Sequence, residues 1–153
     1  MKKFRTLILL SFISQPVWTP LLTAAPYAEE NEQKLEEAAQ ALAYRARQVI
    51  SLSLDADEKS PDANLQKATR LARQIQVNAL DIATLLEDAA EPDQVLQKLS
   101  DTETLVLQID AAKRQLQSSH SQERELLDEL NSVRRTYYYL KQLLTGVAGR
   151  NAR

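Results

Sequence analysis

The chain contains one histidine, no cysteine and one methionine, and these counts decide most of the chemistry open to it. Thiol nucleophiles, disulfide exchange and haem attachment through paired cysteines all need sulfur groups that the sequence lacks. Met1 is the initiator, so His120 is the only His or Met left to supply the inward axial ligands that a b-type cytochrome bundle needs. A carboxylate-bridged dimetal centre takes two Glu-x-x-His pairs and two further inward acids. Gln117, not Glu, stands three residues before His120. The segment Ser118-Ser119-His120-Ser121 reads instead as a polar turn carrying a surface imidazole. Serines beside one histidine supply neither the orienting acid nor the oxyanion donors of a nucleophilic triad.

Asp55-Ala56-Asp57-Glu58-Lys59-Ser60 places acids at the first and third positions of a calcium-loop pattern. Lys59 then falls at the fifth position, Ser60 where glycine makes the sharp turn, and Gln66 where a bidentate Glu belongs. A solvated acidic turn is the expectation. No Asp or Glu lies on the apolar stripes of the chain. The protein is therefore read as non-enzymatic, with no catalytic residue, metal or cofactor.

The most unusual cluster is Arg134-Arg135-Thr136-Tyr137-Tyr138-Tyr139. On a helix, Tyr138 and Tyr139 are rotated about 100° and 200° from Tyr137, so one neighbour cannot bury all three. At least one ring is expected at a groove edge or in solvent. Tyrosine and arginine gain much when desolvated together, because each joins a rigid plane to a polar group. Arg134, Arg135, Tyr138 and Tyr139 are accordingly the candidate protein-binding residues.

These side chains must be held by helices. With Gly146 and Gly149 as its only glycines, the chain lacks the tight-turn chemistry of β-hairpins. Leu35, Ala39, Leu42, Ala46 and Val49 alternate three- and four-residue spacings over the first helix, Glu29 to Leu52. Ser60-Pro61-Asp62 then reads as an N-cap, a proline at the first helical position and an acid in the first turn. Ala68, Leu71, Ile75, Asn78, Ile82, Leu85 and Ala89 form the second stripe, and Leu65 and Leu86 widen it. Glu91-Pro92-Asp93 opens a third helix along Val95, Leu99, Thr102, Val106, Ile109 and Leu116. A break near His120, capped by Ser119 or Ser121, separates a fourth stripe, Leu126, Leu130, Val133, Tyr137, Leu140, Leu144 and Val147. Gly146 and Gly149 are its expected left-handed caps. Asn78, Thr102 and Lys113 in the seams, and Arg45 at an edge, read as register devices.

The start of the chain has a different character. Lys2, Lys3 and Arg5 precede the apolar run from Leu7 to Ile13, Pro16 and Pro20 break the stretch beyond it, and small residues stand at Thr23, Ala24, Ala25 and Ala28. This is the layout of a cleavable secretory signal peptide. Residues 1–28 carry three of the 19 basic side chains and none of the 21 acidic ones, leaving 16 against 21 and a net charge of −5. Nucleic acid is not the expected partner of such an acidic chain. Membrane contact is expected only where the leader stays uncleaved.

The expected fold is all-α: an antiparallel up-down-up-down four-helix bundle after the signal peptide. The domains are 1–28 signal peptide, 29–149 helical bundle and 150–153 disordered basic tail. The rival architecture joins the last two stripes into three long helices or a coiled-coil assembly. The expected role is a periplasmic or secreted adaptor, assembly factor or chaperone that binds a protein of the cell envelope. Two alternatives stand beside it. One is a bundle that holds a small apolar ligand or cofactor near Asn78 and Thr102, and the other is a signal-anchored coiled-coil subunit that homo-oligomerises.

Overall fold

Pro61, Pro92 and the polar run around His120 divide the described residues into four α-helices: α1 (Ala25–Lys59), α2 (Ala63–Glu87), α3 (Pro92–Ser119) and α4 (Arg124–Asn151). The computed structural model describes the backbone of residues 25–151 and the side chains of residues 31–146, and no strand occurs among the described residues. The signal-peptide reading falls on residues 1–24, outside the described residues, and on the first turn of α1. Helices α3 and α4 are separate, so the three-helix alternative does not describe this chain.

Two boundaries of α1 differ from expectation. The helix begins at Ala25, with Pro26 tolerated in the first turn, where backbone N–H groups have no intrahelical partner. It also runs through the acidic segment expected to be a turn, ending at Lys59. That segment contains neither glycine nor proline, and Ala56 within it is buried against the core. The stop comes from Pro61, whose ring disfavours a helical conformation at Ser60.

The cap of α2 is Asp62 and not Ser60. Its backbone is extended, and its carboxylate accepts the Asn64 N–H at 2.6 Å, satisfying one orphan donor of the first turn. The Asp62 N–H donates in turn to Asp57 Oδ1 at 2.8 Å. Proline therefore sits in the connection and not in the helix.

At the other end, α2 stops before Ala89, which the stripe had included. The Ala90 N–H reaches the Leu85 carbonyl at 2.9 Å and the Ala89 N–H reaches that of Leu86 at 3.2 Å, the bonding of a Schellman cap. Ala89 carries the motif's left-handed backbone, with φ at 49°. Alanine is strained there, because its Cβ crowds the carbonyl. Ala89→Gly should therefore raise stability by about 0.5–1 kcal/mol, the relief of strain less the entropy that glycine restores to the unfolded chain. A urea midpoint that falls, at unchanged slope, would contradict this.

The break before α4 comprises residues 120–123 and uses neither expected serine cap. The Ser119 hydroxyl turns back to the Gln115 carbonyl at 3.4 Å, and the first helical bond of α4 runs from the Leu127 N–H to the Glu123 carbonyl at 3.1 Å. The glycine caps are likewise absent. No glycine among the described residues has positive φ, and α4 continues as helix past Gly149 to Asn151. Residues 152–153 lie outside the described residues.

Packing follows the stripes. Helix α1 lies against α2 and α4, α2 against α3, and α3 against α4. Buried alanines, among them Ala39, Ala43 and Ala46 of α1 and Ala68, Ala72 and Ala79 of α2, let those two helices approach closely. Ala79 is fully buried, whereas Asn78 is half-buried at the edge of the seam. Larger chains fill the opposite side: Val106, Ile109 and Leu116 of α3 face a core shared with Leu130, Tyr137 and Leu140 of α4. Glu103 pairs with Lys141 at 2.6 Å, Asp110 with Arg134 at 3.5 Å, and Lys113 bonds Asn131, so later residues of α3 meet earlier residues of α4. Lys98 to Asp81 at 2.7 Å joins α3 to α2, and Arg45 to Glu129 at 2.9 Å joins α1 to α4. Half-exposed pairs of this kind contribute little stability, about 0–1 kcal/mol each, and act mainly on register.

Candidate functional site

Tyr137 decides how the aromatic cluster is presented. Its ring is fully buried, and its hydroxyl donates to the Leu99 carbonyl of α3 at 3.2 Å. Burial pushes the phenol well above its ordinary range, and the Glu103 carboxylate adds to that rise. With Tyr137 pinned inward, helical geometry turns its two neighbours out. Tyr138 is 37% exposed and Tyr139 51% exposed, as the rotation of three consecutive rings required.

Tyr138 stands beside the α3–α4 seam. Its ring meets that of Tyr137 edge-on at 5.3 Å between centroids, and the Arg134 guanidinium lies 6.0 Å from its ring centre. That distance is the outer limit of a cation–π contact. Arg134 also reaches Asp110 at 3.5 Å while remaining about half exposed. Arg135 points away from that seam. Among the described residues it has no carboxylate partner, and its one hydrogen bond is to the Ser132 hydroxyl, at 3.4 Å.

Arg134, Arg135, Tyr138 and Tyr139 line one shallow hollow of about 650 Å³ along the outer face of α4, which runs from Asp128 to Gln142. Because every wall belongs to one helix, this is a textured surface and not a cleft for a small molecule. Arg135 and Tyr139 also border a second recess of about 410 Å³ between α4 and α1, floored by Ala38 and Ala41 and edged by Glu37. The four candidate residues thus form one continuous surface across the α4 crest and its groove with α1.

The other sequence-marked residues do not join it. Thr102 is fully buried, its hydroxyl bonded to the Lys98 carbonyl at 2.7 Å. Neither Thr102 nor Asn78 lines the α4 hollow or the α1–α4 recess. Among the described residues, no group of three or more acidic, histidine or cysteine side chains is arranged to hold a metal ion.

A second polar centre was not anticipated. His120, expected on the surface, is largely buried, and its Nε2 lies 3.0 Å from Asp62 Oδ2. The Ser119 hydroxyl approaches the same oxygen at 3.3 Å. One carboxylate therefore caps α2 and ties the α1–α2 connection to the α3–α4 connection. The bond from the Asn64 N–H holds the Asp62 carboxyl below the usual carboxylate range, burial opposes it, and His120 and Ser119 lower it further. The sequence signal was the preference for Asp as N-cap; its distant partner carried none.

Comparison with known proteins finds no matching family model, no similar curated protein and no similar solved structure. Function must consequently be sought in the chemistry of the α4 surface itself.

Proposed function

We propose that this chain is an exported, periplasmic, non-enzymatic up-down-up-down helical bundle that acts as an adaptor, assembly factor or chaperone by binding another protein through the outer face of α4. The observation that carries this reading is the pairing of two outward tyrosines with two outward arginines on a rigid, well-packed helix. The tyrosine rings, with two χ angles each, lose little entropy when a partner covers them, and the helix fixes where all four side chains start. Trp, Tyr and Arg are the residues most enriched among those that carry the energy of protein contacts. Export is supported by the order of charge, apolar run and small residues at the start of the chain.

The test is the double substitution Tyr138→Ala with Tyr139→Ala. Both rings project from the core, so helical content by circular dichroism should be unchanged. A photo-crosslinker placed at Gln142, beside them, should capture a discrete polypeptide from the extracytoplasmic fraction of the native host. That adduct should fall at least about tenfold in the double variant, the loss of one modest hot-spot contact. Equal capture by both proteins, or no polypeptide adduct at all, would overturn the protein-binding reading.

A further inference from the structure

Charge is distributed very unevenly along this acidic chain. Residues 130–153 carry five basic side chains and no Asp or Glu, although the whole chain has a net charge of −2. The structure turns two of these cations onto the aromatic face. Arg135 has no carboxylate partner among the described residues, and Arg134 shares Asp110, at 3.5 Å, with Arg114, at 3.9 Å. Arg134 therefore keeps donors available to an incoming acid. Tyr138 and Tyr139 beside them are half exposed, and the recess next to Tyr139 has a floor of Ala38 and Ala41.

From this juxtaposition we propose that the outer face of α4 docks an acidic, apolar-flanked segment of a partner protein. Carboxylates of the segment meet Arg134 and Arg135, and an apolar side chain lies across Tyr138 and Tyr139 toward the α1–α4 recess. The inference rests on the protein-binding reading and adds the chemistry of the partner. Guanidinium forks bind carboxylates through paired, charge-assisted hydrogen bonds, and neighbouring aromatic faces exclude the water that would weaken them.

Charge complementarity selects this occupant over two others. A second copy docking about a two-fold axis through this cluster would bring Arg134 and Arg135 near the same cations of its mate. A flat anionic lipid surface would press against Asp128 on the same face and Glu37 on the adjoining edge. A narrow segment, unlike a flat surface, need not cover Asp128 and Glu37 to reach the two arginines.

The experiment presents the full chain, labelled with a fluorophore, to an array of short tethered peptides that vary independently in charge and apolar content. Retained peptides should be enriched in Asp and Glu, and their binding should weaken as salt rises. Arg134→Gln with Arg135→Gln should reduce that binding about tenfold or more, the equivalent of one charge-assisted hydrogen bond, while helicity stays intact. Retention of peptides regardless of acid content, or an unchanged profile for the arginine variant, overturns the inference. If the retained peptides are neutral yet are lost with Tyr138→Ala and Tyr139→Ala, protein binding stands and the acidic partner fails. An array that retains nothing also overturns the inference, and the crosslinking result then decides the wider reading separately. Co-sedimentation with phosphatidylglycerol vesicles that depends on the two arginines, with no peptide enrichment, would assign the face to lipid instead. Arginine-dependent dimerisation in sedimentation analysis would assign it to a second copy.

Discussion

Tyr137→Ala is expected to lower the stability of the bundle by about 3–5 kcal/mol, the usual cost of deleting a buried aromatic ring. Domains of this kind are commonly stable by only about 5–15 kcal/mol, so the variant should lose a large share of its folded margin. The ring is fully buried between α3 and α4, its hydroxyl bonds the Leu99 carbonyl at 3.2 Å, and its edge packs on Tyr138 at 5.3 Å. Truncation would leave a cavity, an unpaired carbonyl acceptor and an unsupported Tyr138. Urea unfolding followed by circular dichroism measures the loss, and a change under about 1 kcal/mol would show that the seam collapses without it.

Tyr137→Phe separates the hydroxyl from the ring. It should cost about 1 kcal/mol at neutral pH, because one buried hydrogen bond is lost while packing is kept. It should also alter the alkaline limb of stability. An unfolded tyrosine ionises near pH 10, whereas burial holds the folded phenol above its ordinary range. Above about pH 10 the unfolded chain therefore loses its proton first, and stability falls as pH rises. The Phe variant lacks this contribution and should show a flatter limb.

Asp62→Ala is the second large effect, a loss of about 2–3 kcal/mol. About 1 kcal/mol of this is the N-cap of α2, and the remainder is the hydrogen bonding of the carboxylate to His120 and Ser119. The sign of its pH dependence follows from the depressed folded-state pKa. The unfolded carboxyl binds its proton first as pH falls, so the contribution is fully present above about pH 4 and is lost as pH drops through the lower folded value. Asp62→Asn keeps an oxygen for the cap but removes the charge, and should flatten the acid limb at a smaller cost. An acid limb identical in all three proteins would mean that the tie between the two connections is energetically silent. A double-mutant cycle with His120→Ala isolates the Asp62–His120 coupling from the cap.

The aromatic cluster shows how far local reasoning reaches. That three consecutive tyrosines cannot share one buried face follows from helix rotation alone, and the exposures of Tyr138 and Tyr139 agree with it. That Tyr137 is the inward one followed from its place in the stripe with Val133 and Leu140, all fully buried. That Arg135 lacks a carboxylate partner among the described residues while Arg134 shares Asp110 could not be foreseen, because it depends on which residues of the neighbouring helices lie across the seams. Local rules also erred where two signals competed. The acidic run at Asp55 was read as a turn, yet a helix without a breaker propagates at little cost until Pro61 stops it.

By itself, the sequence determined that the described residues are helical, that they carry four apolar stripes, and most of the stripe side chains that enter the core, Asn78 and Ala89 being exceptions that lie half-buried and exposed. Those properties arise from residues within a turn or two of one another, where a 3.6-residue period suffices to place a face. Only the tertiary structure decided that Ala89 adopts a left-handed backbone, that the glycines near the end do not cap α4, and that Asp62 meets His120 across 58 positions. It also decided that Arg134, Arg135, Tyr138 and Tyr139 are continuous with an alanine-floored recess of α1. Contacts of that range depend on how helices dock, and docking is selected by the whole buried surface at once, so no local pattern encodes them.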